Sequence, residues 1–183
     1  TINGFPTSFT FGGRYEDYDY FKNIVLPHTG FTLDYSPDVR GVELLSILKN
    51  MYAIAIGLVS GKYDSPNVDF QLYTKAVNEM RKLLDLFKCE QETIFRYCGI
   101  GDLGLTALND LSRNRTLGIL LGKGFALDQK NNATTIEGLR TIKLIGEMTR
   151  ENGTEKDFPL VQNLYKLIYE NGTLNEYFVN VLE

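Results

Sequence analysis

The chain has 183 residues, with 19 basic and 23 acidic side chains giving a net charge of −4, two cysteines and one histidine. That length suffices for a sizeable core in one domain, or for one domain plus a fragment of another. The charge offers no global attraction to nucleic acid or anionic lipid, and the cysteines and lone histidine make neither a disulfide framework nor a metal-ligand set.

Along the chain, Ser8-Phe9-Thr10-Phe11 and Phe31-Thr32-Leu33-Asp34-Tyr35 alternate polar and apolar residues with the period of a strand. Between them Tyr15 to Val25 reads as a helix with Tyr18, Phe21 and Val25 on one face. Two strands and a helix are too little to fold unaided, so residues 1–38 must lean on something else. From Pro37 onward the pattern is helical almost throughout. A long apolar helix is expected from about Val39 to Ser60, and Asn67 reads as the cap of the next, whose stripe is Leu72, Ala76, Met80, Leu83 and Phe87. Short helices are expected over Leu103 to Leu108 and Thr116 to Leu121. Thr134 or Thr135 opens another that ends near Asn152-Gly153. Asp157-Phe158-Pro159 marks a further start and Asn171-Gly172 a stop, and Thr173 with Glu176 spells a capping box for the last helix.

The densest apolar run, Val42 to Val59, is broken by Glu43, Ser46, Lys49 and Asn50, so it reads as a core helix and not a membrane span. With no signal peptide in view, the expected compartment is cytoplasmic. Cys89 and Cys98 then read as free, buried or half-buried thiols. The N-x-[ST] sequons at Asn114, Asn132, Asn152 and Asn171 read as chance in a chain rich in Asn and Thr. The chain begins at Thr1 rather than Met, which suggests a piece of something longer.

Chemistry concentrates between Gly99 and Arg115. Gly99, Gly101 and Gly104 satisfy G-x-G-x-x-G, the spacing of dinucleotide loops, but such a loop must follow a strand and be followed by an acid ~20 residues on. Here the preceding residues follow a helix-like start at Cys89/Glu90, and Asp102 would face a pyrophosphate with like charge. The segment is better read for its acid (Asp102), its hydroxyl (Thr106) and its Arg113-Asn114-Arg115 cluster. Asp102 either caps the short helix or pairs with a base brought near by the glycines. Arg113 and Asn114, ahead of a helix, form either an exposed polar loop or a phosphate fork. Lys49 lies mid-way along the apolar helix beside Asn50. It must snorkel to water along its stem, or find an acid in a polar cleft where it can donate a proton or polarise a carbonyl. His28, in a Pro-His-Thr-Gly turn, reads as a surface residue.

Taken together, these segments resemble the C-terminal domain of NAD-dependent glycerol-3-phosphate dehydrogenase in its bacterial form. Gly41-Val42-Glu43-Leu44 with Leu48-Lys49-Asn50-Met51-Tyr52-Ala53-Ile54-Ala55 is similar to the family's G-x-E-L-x-x-x-L-K-N-x-x-A-I-A helix. Gly99 to Thr106 resembles its G-x-G-D-L-x-x-T turn, and Ser112-Arg113-Asn114-Arg115 its S-R-N-R. Leu121-Gly122-Lys123-Gly124 and Ile136-Glu137-Gly138 match later segments in order. The resemblance implies a mainly α fold, a helical bundle over residues 39–183. Residues 1–38 would be a two-strand β-α-β remnant of a Rossmann domain, with Phe5-Pro6-Thr7 resembling its L-P-T start. It implies hydride transfer from NAD or NADP, bound mainly by an N-terminal domain not in this chain, to dihydroxyacetone phosphate, giving glycerol 3-phosphate. Lys49 would be the proton donor and Asp102 its orienting partner. Asn50 and Thr106 would hydrogen-bond the substrate or hold the lysine, Arg113 and Asn114 would bind its phosphate, and Glu137 would sit near the cofactor. Dimerisation through the helical domain is also suggested. The family's glycine-rich loop is here Gly61-Lys62-Tyr63-Asp64-Ser65-Pro66, keeping only the following Asn67, which is a departure beside the substrate. The alternative, from another class, is a non-catalytic phosphate-ligand binding or assembly module that keeps the pocket; a divergent enzyme of the same architecture acting on another phosphorylated or hydroxy-acid substrate is a third.

Overall fold

A computed structural model describes residues 6–27, 29–126 and 136–183. His28, Phe5, Asn132 and the expected helix start at Thr134 or Thr135 lie outside the described residues. Strands β1 (Thr7–Gly12) and β2 (Phe31–Ser36) pair in parallel, Thr7 opposite Phe31 and Gly12 opposite Ser36. Parallel strands need a crossover, and α1 (Tyr15–Tyr20), continued by a wider helical turn over Phe21–Val25, supplies it. Of the expected apolar face only Tyr18 goes in, against the rings of Phe11 and Tyr35. Phe21 and Val25 stay 43% and 45% exposed, because a two-strand sheet is too narrow to cover the far end of the crossover.

The remaining described residues are mainly helical: α2 (Val39–Tyr63), α3 (Pro66–Leu86), α4 (Asp102–Ala107), α5 (Arg113–Gly122), α6 (Glu137–Glu151), α7 (Pro159–Tyr169) and α8 (Leu174–Leu182). Helix α2 is apolar all round from Met51 to Val59 and lies at the centre of the bundle, every one of those residues buried. It is long and apolar enough to cross a membrane by composition, yet 67% of its most apolar window is buried by the surrounding helices, which is how a core helix looks.

On one side of α2 lies the expected stripe of α3, with Leu72, Ala76, Met80 and Leu83 fully buried. The cap of α3 differs from the expectation: Pro66, which lacks an N–H and has a preset φ, takes the first helical position and leaves Ser65, not Asn67, at the cap. On the other side α5 crosses α2 backbone to backbone. A Cβ at Gly118 would lie 2.3 Å from the Ile54 carbonyl oxygen, and one at Gly57 2.4 Å from that of Arg115, so glycine alone permits the approach. The last helix carries the expected capping box: Thr173 accepts from the Glu176 N–H while the Glu176 carboxylate accepts from the Thr173 N–H.

The α3 stripe hides a charge. Glu79 is 4% exposed; its carboxylate accepts from Leu160 N at 2.6 Å and Val161 N at 3.2 Å in the first turn of α7, and from the Tyr52 hydroxyl at 3.1 Å. Burial pushes its pKa up to about 7 against the pull of those donors. The folded state therefore holds this proton more tightly than the unfolded chain, and stability falls as pH rises from about 4.5 towards 7. The loss attributable to this one group is on the order of 3 kcal/mol. Urea unfolding at successive pH values should show it, and Glu79→Gln should flatten that part of the profile; an unchanged slope would contradict the assignment.

Candidate active site

The site is assembled where three segments meet: one face of α2, the glycine turn before α4, and β1. On α2, Val42, Ser46 and Lys49 follow an i, i+4, i+7 spacing and so share a face. The turn is held against that helix by Asp38. Its side chain caps α2 by accepting from Gly41 N at 2.9 Å, and its other oxygen accepts from Glu90 N at 2.8 Å and the Thr93 hydroxyl at 3.0 Å. From there a 3-10 turn, Gln91–Phe95, leads into Tyr97–Gly101. No strand precedes the three glycines, so the G-x-G-x-x-G spacing lacks the context of a nucleotide loop, as the sequence suggests. Gly99 serves packing instead, since a Cβ there would fall 1.9 Å from the Ile94 carbonyl oxygen.

The turn delivers Asp102 as the first residue of α4. It does not cap the helix with its side chain. Its Oδ2 accepts from Lys49 Nζ, closing a pair across 53 residues of sequence between side chains that are 23% and 29% exposed. The pair lines a cavity of about 650 Å³ whose other walls include Thr10 of β1, Ser46, Tyr97, Cys98 and Leu105. The strand is stitched to the turn by Cys98 N donating to Thr10 Oγ1 at 2.9 Å and Tyr97 N donating to Asp34 Oδ2 at 3.2 Å. Burial pushes the Cys98 thiol up, and the Asp34 and Asp102 carboxylates add to the shift, so it is held as a neutral thiol. Lys49 is therefore the one cation on the wall of this cavity among the described residues, anchored by a carboxylate at one end and facing open space at the other.

A second group gathers where α2, α5 and α6 meet. Here Ser112, not a loop around Arg113, is the start signal: its hydroxyl accepts from Arg115 N, and Arg113 and Asn114 form the first turn of α5 instead of preceding a helix at Thr116. Asn114 is buried, donates to Asn50 Oδ1 at 3.0 Å and accepts from Gly138 N at 3.2 Å. Arg113 is exposed and reaches Glu137 Oε1 at 3.4 Å. Arg115 turns the other way, into the core, so the three-residue cluster is split. Its guanidinium donates to the Ala107 carbonyl at 2.6 Å and Ser60 Oγ at 3.1 Å, and it faces Asp69 at 3.4 Å. Thr106 is half-buried on α4 and is not among the residues lining the cavity.

The structure thus brings Lys49 to Asp102, Asn50 to Asn114, and Arg113 to Glu137. Sequence reasoning did not pick out Ser46, Thr10, Tyr97 or Cys98 as cavity residues. The heptad-like spacing from Val42 through Ser46 to Lys49 could have found Ser46; nothing local in the sequence points to the others.

The family model described as NAD-dependent glycerol-3-phosphate dehydrogenase C-terminus matches residues 38–179. The chain belongs to this family. The glycerol-3-phosphate dehydrogenase [NAD(P)+] of Methanothermobacter thermautotrophicus is 40% identical over 145 residues, covering 79% of this chain and 43% of that protein. That of Leuconostoc citreum is 31% identical over 172 residues, covering 93% of this chain and 50% of that protein. A crystal structure of the Coxiella burnetii glycerol-3-phosphate dehydrogenase superposes with a TM-score of 0.88 at 28% identity, over 99% of this chain and 56% of that one. The chain spans about half the length of the curated relatives it matches.

Proposed function

We propose that this chain is the substrate-binding and proton-donating half of an NAD(P)-dependent glycerol-3-phosphate dehydrogenase, which interconverts dihydroxyacetone phosphate and glycerol 3-phosphate. The observation that carries the reading is the Lys49–Asp102 pair on the wall of an open cavity, in a chain of this family. On this reading residues 39–183 form the substrate-binding domain, and residues 1–38 are the edge of a nucleotide-binding one.

The described residues alone do not fit a dinucleotide. Their G-x-G-x-x-G follows a 3-10 turn, its first glycine abuts a carbonyl, and its acid is paired with a lysine. NAD(P)H would be held mainly by the half of the relatives that this chain does not span, with Glu137 at its margin. When bound, the cofactor supplies the reducing electron pair to the carbonyl carbon of the substrate. This chain's part is the oxygen. As that oxygen gains negative charge, Lys49 Nζ stabilises it and gives it a proton, while Asp102 keeps the ammonium aimed and balances its charge. Arg113 would leave Glu137 to bind the phosphate, an exposed pair at 3.4 Å being cheap to break. Asn114, Asn50 and Thr106 would complete the polar surface around the substrate.

The test is an assay of the full reading frame that carries this chain, mixed with dihydroxyacetone phosphate and NADH and followed by loss of reduced cofactor. Turnover supports the enzyme reading, and its absence, with phosphate-ligand binding retained, would favour the binding-module alternative. The isolated chain is expected to show no turnover. In the active protein Arg113→Ala should raise KM for dihydroxyacetone phosphate about tenfold with kcat changed much less, the signature of lost ground-state binding. An unchanged KM would place Arg113 outside the site.

A further inference from the structure

The alternation that marks the two strands gives the sheet an apolar and a polar face, and the polar one is not turned to water. Phe11 and Tyr35 pack on Tyr18 of the crossover. Residues directly opposite each other in paired strands share a face. Thr10 and Asp34 are such a pair, so they form one polar rung, with Ser36 two residues beyond Asp34 on the same side. That face meets the helical body. Ser36 Oγ lies 3.4 Å from Thr93 Oγ1. The rung takes up the two N–H groups that begin the Tyr97–Gly101 turn: Cys98 N donates to Thr10 Oγ1 at 2.9 Å, and Tyr97 N to Asp34 Oδ2 at 3.2 Å. A helical start leaves its first donors without partners of its own, and here the sheet supplies them.

Asp34 has a feature that a joint built for stability alone would not need. Its Oδ1 is, among the described residues, the one buried side-chain polar atom without a hydrogen-bond partner. A buried carboxylate oxygen with no donor lowers stability. What the residue controls lies further along the turn. At Gly99 the backbone leaves helical geometry, with φ −93° and ψ −109°. The Tyr73 hydroxyl of α3 donates to the Ile100 carbonyl at 2.5 Å, and Asp102 follows as the first residue of α4, paired with Lys49. A turn pinned at Tyr97, Cys98 and Ile100 carries Asp102 wherever the sheet and α3 put it.

We propose that Asp34 and Thr10 are positioning residues, a clasp through which the seat of the sheet sets the aim of Lys49 by way of Asp102. When the sheet is seated, the turn is in register and the acid meets the ammonium; when the sheet shifts, that alignment is lost. The inference rests on the function proposed above for its catalytic consequence. On that reading the sheet belongs to the nucleotide-binding half, so the placement of that half and the readiness of the proton donor become one event. The clasp itself does not depend on it.

Asp34 is the residue to change first, because unlike Thr10 it is not among the residues lining the cavity. Asp34→Ala removes the acceptor for Tyr97 N together with an unpartnered oxygen, whereas Asp34→Asn keeps an acceptor in place. In this chain, followed by NMR, Asp34→Ala should speed backbone amide exchange at Tyr97 about tenfold, the worth of one hydrogen bond. Exchange of the Lys49 ammonium hydrogens with water should quicken with it, while the thermal midpoint stays within a few degrees. In the full reading frame, Asp34→Ala should lower kcat for dihydroxyacetone phosphate reduction about tenfold with KM within about twofold, and Asp34→Asn should restore most of the loss. In an Asp102→Asn background the same change should lower kcat by less than about twofold, since a clasp that acts through Asp102 has nothing left to aim. Faster exchange at Tyr97 with an unaltered Lys49 ammonium and unaltered kcat overturns the proposal. So do losses that multiply in the double variant. Should Asp34→Ala fail to fold, Thr10→Val carries the same test at the Cys98 amide, and a raised KM with unchanged kcat there would make Thr10 a wall residue only and overturn the clasp. Absence of turnover in the unsubstituted protein would count against the proposed function, and the two exchange measurements would still decide the clasp.

Discussion

Replacing Lys49 by alanine in the full reading frame should lower kcat for dihydroxyacetone phosphate reduction by about 10²–10⁴-fold, the range lost with a positioned proton donor. KM should move far less, because the ammonium earns its effect only as charge develops on the substrate oxygen. Asp102→Asn keeps size and a hydrogen-bond acceptor but removes the balancing charge, and a loss on the order of tenfold to a hundredfold is expected. The two losses should not add, since both act through one ammonium. Steady-state kinetics of the single and double variants checks this. Lys49→Ala with unchanged kcat would remove the basis of the proposed function.

The largest effect on stability should come from Arg115. Its side chain is 10% exposed and faces Asp69, itself 13% exposed, and it also ties Ser60 of α2 to the carbonyl of Ala107 at the end of α4. Ser60 Oγ in turn donates to Asp69 Oδ1 at 2.5 Å, so four helices, α2, α3, α4 and α5, share one polar knot. Arg115→Ala leaves the Asp69 carboxylate buried without its cation and the Ala107 carbonyl without a donor, and should cost about 3–5 kcal/mol. Arg115→Lys should recover only part of this, because an ammonium cannot reproduce the fork that reaches a hydroxyl, a carbonyl and a carboxylate together. Urea unfolding gives the number; a loss below about 1 kcal/mol would show that water can replace the guanidinium.

The same residue shows where reading the sequence stops. Arg113, Asn114 and Arg115 are adjacent and look alike as an anion fork, yet successive residues on a helix point about 100° apart. Placing Ser112 as the cap would have put all three in the first turn of α5 and sent them in different directions. Local chemistry was legible where it is local: the Thr173–Glu176 capping box, the proline-led start of α7, and the two alternating strands. The cap of α3 was misread because Asn67 is a good cap by residue type, while Pro66 beside it dictates the position. Glu79 went unremarked although it occupies the i+7 position of the stripe that starts at Leu72, where a carboxylate must be buried and partnered. The Lys49–Asp102 pair could be suspected, from a lysine on an apolar helix that needs an acid and from the family resemblance, but not placed. No periodicity links residues 53 apart, and their meeting depends on Asp38 holding one turn against the start of α2.

At the crossing of α2 and α5 the two helices touch through glycine and carbonyl at Gly57, Gly61, Gly118 and Gly122, positions with no side chain whose change of rotamer could let one helix slide along the other. Lys49 rides on the first of these helices and Arg113 opens the second. The span between the backbone positions that carry them is then set like a fixed gauge, by the thickness of two backbones. Under the proposed function, choice of substrate by chain length would come from this frame and not from the cavity walls. Trimming or enlarging wall residues would alter affinity, and a substrate one carbon longer would still find its phosphate and its carbonyl out of step.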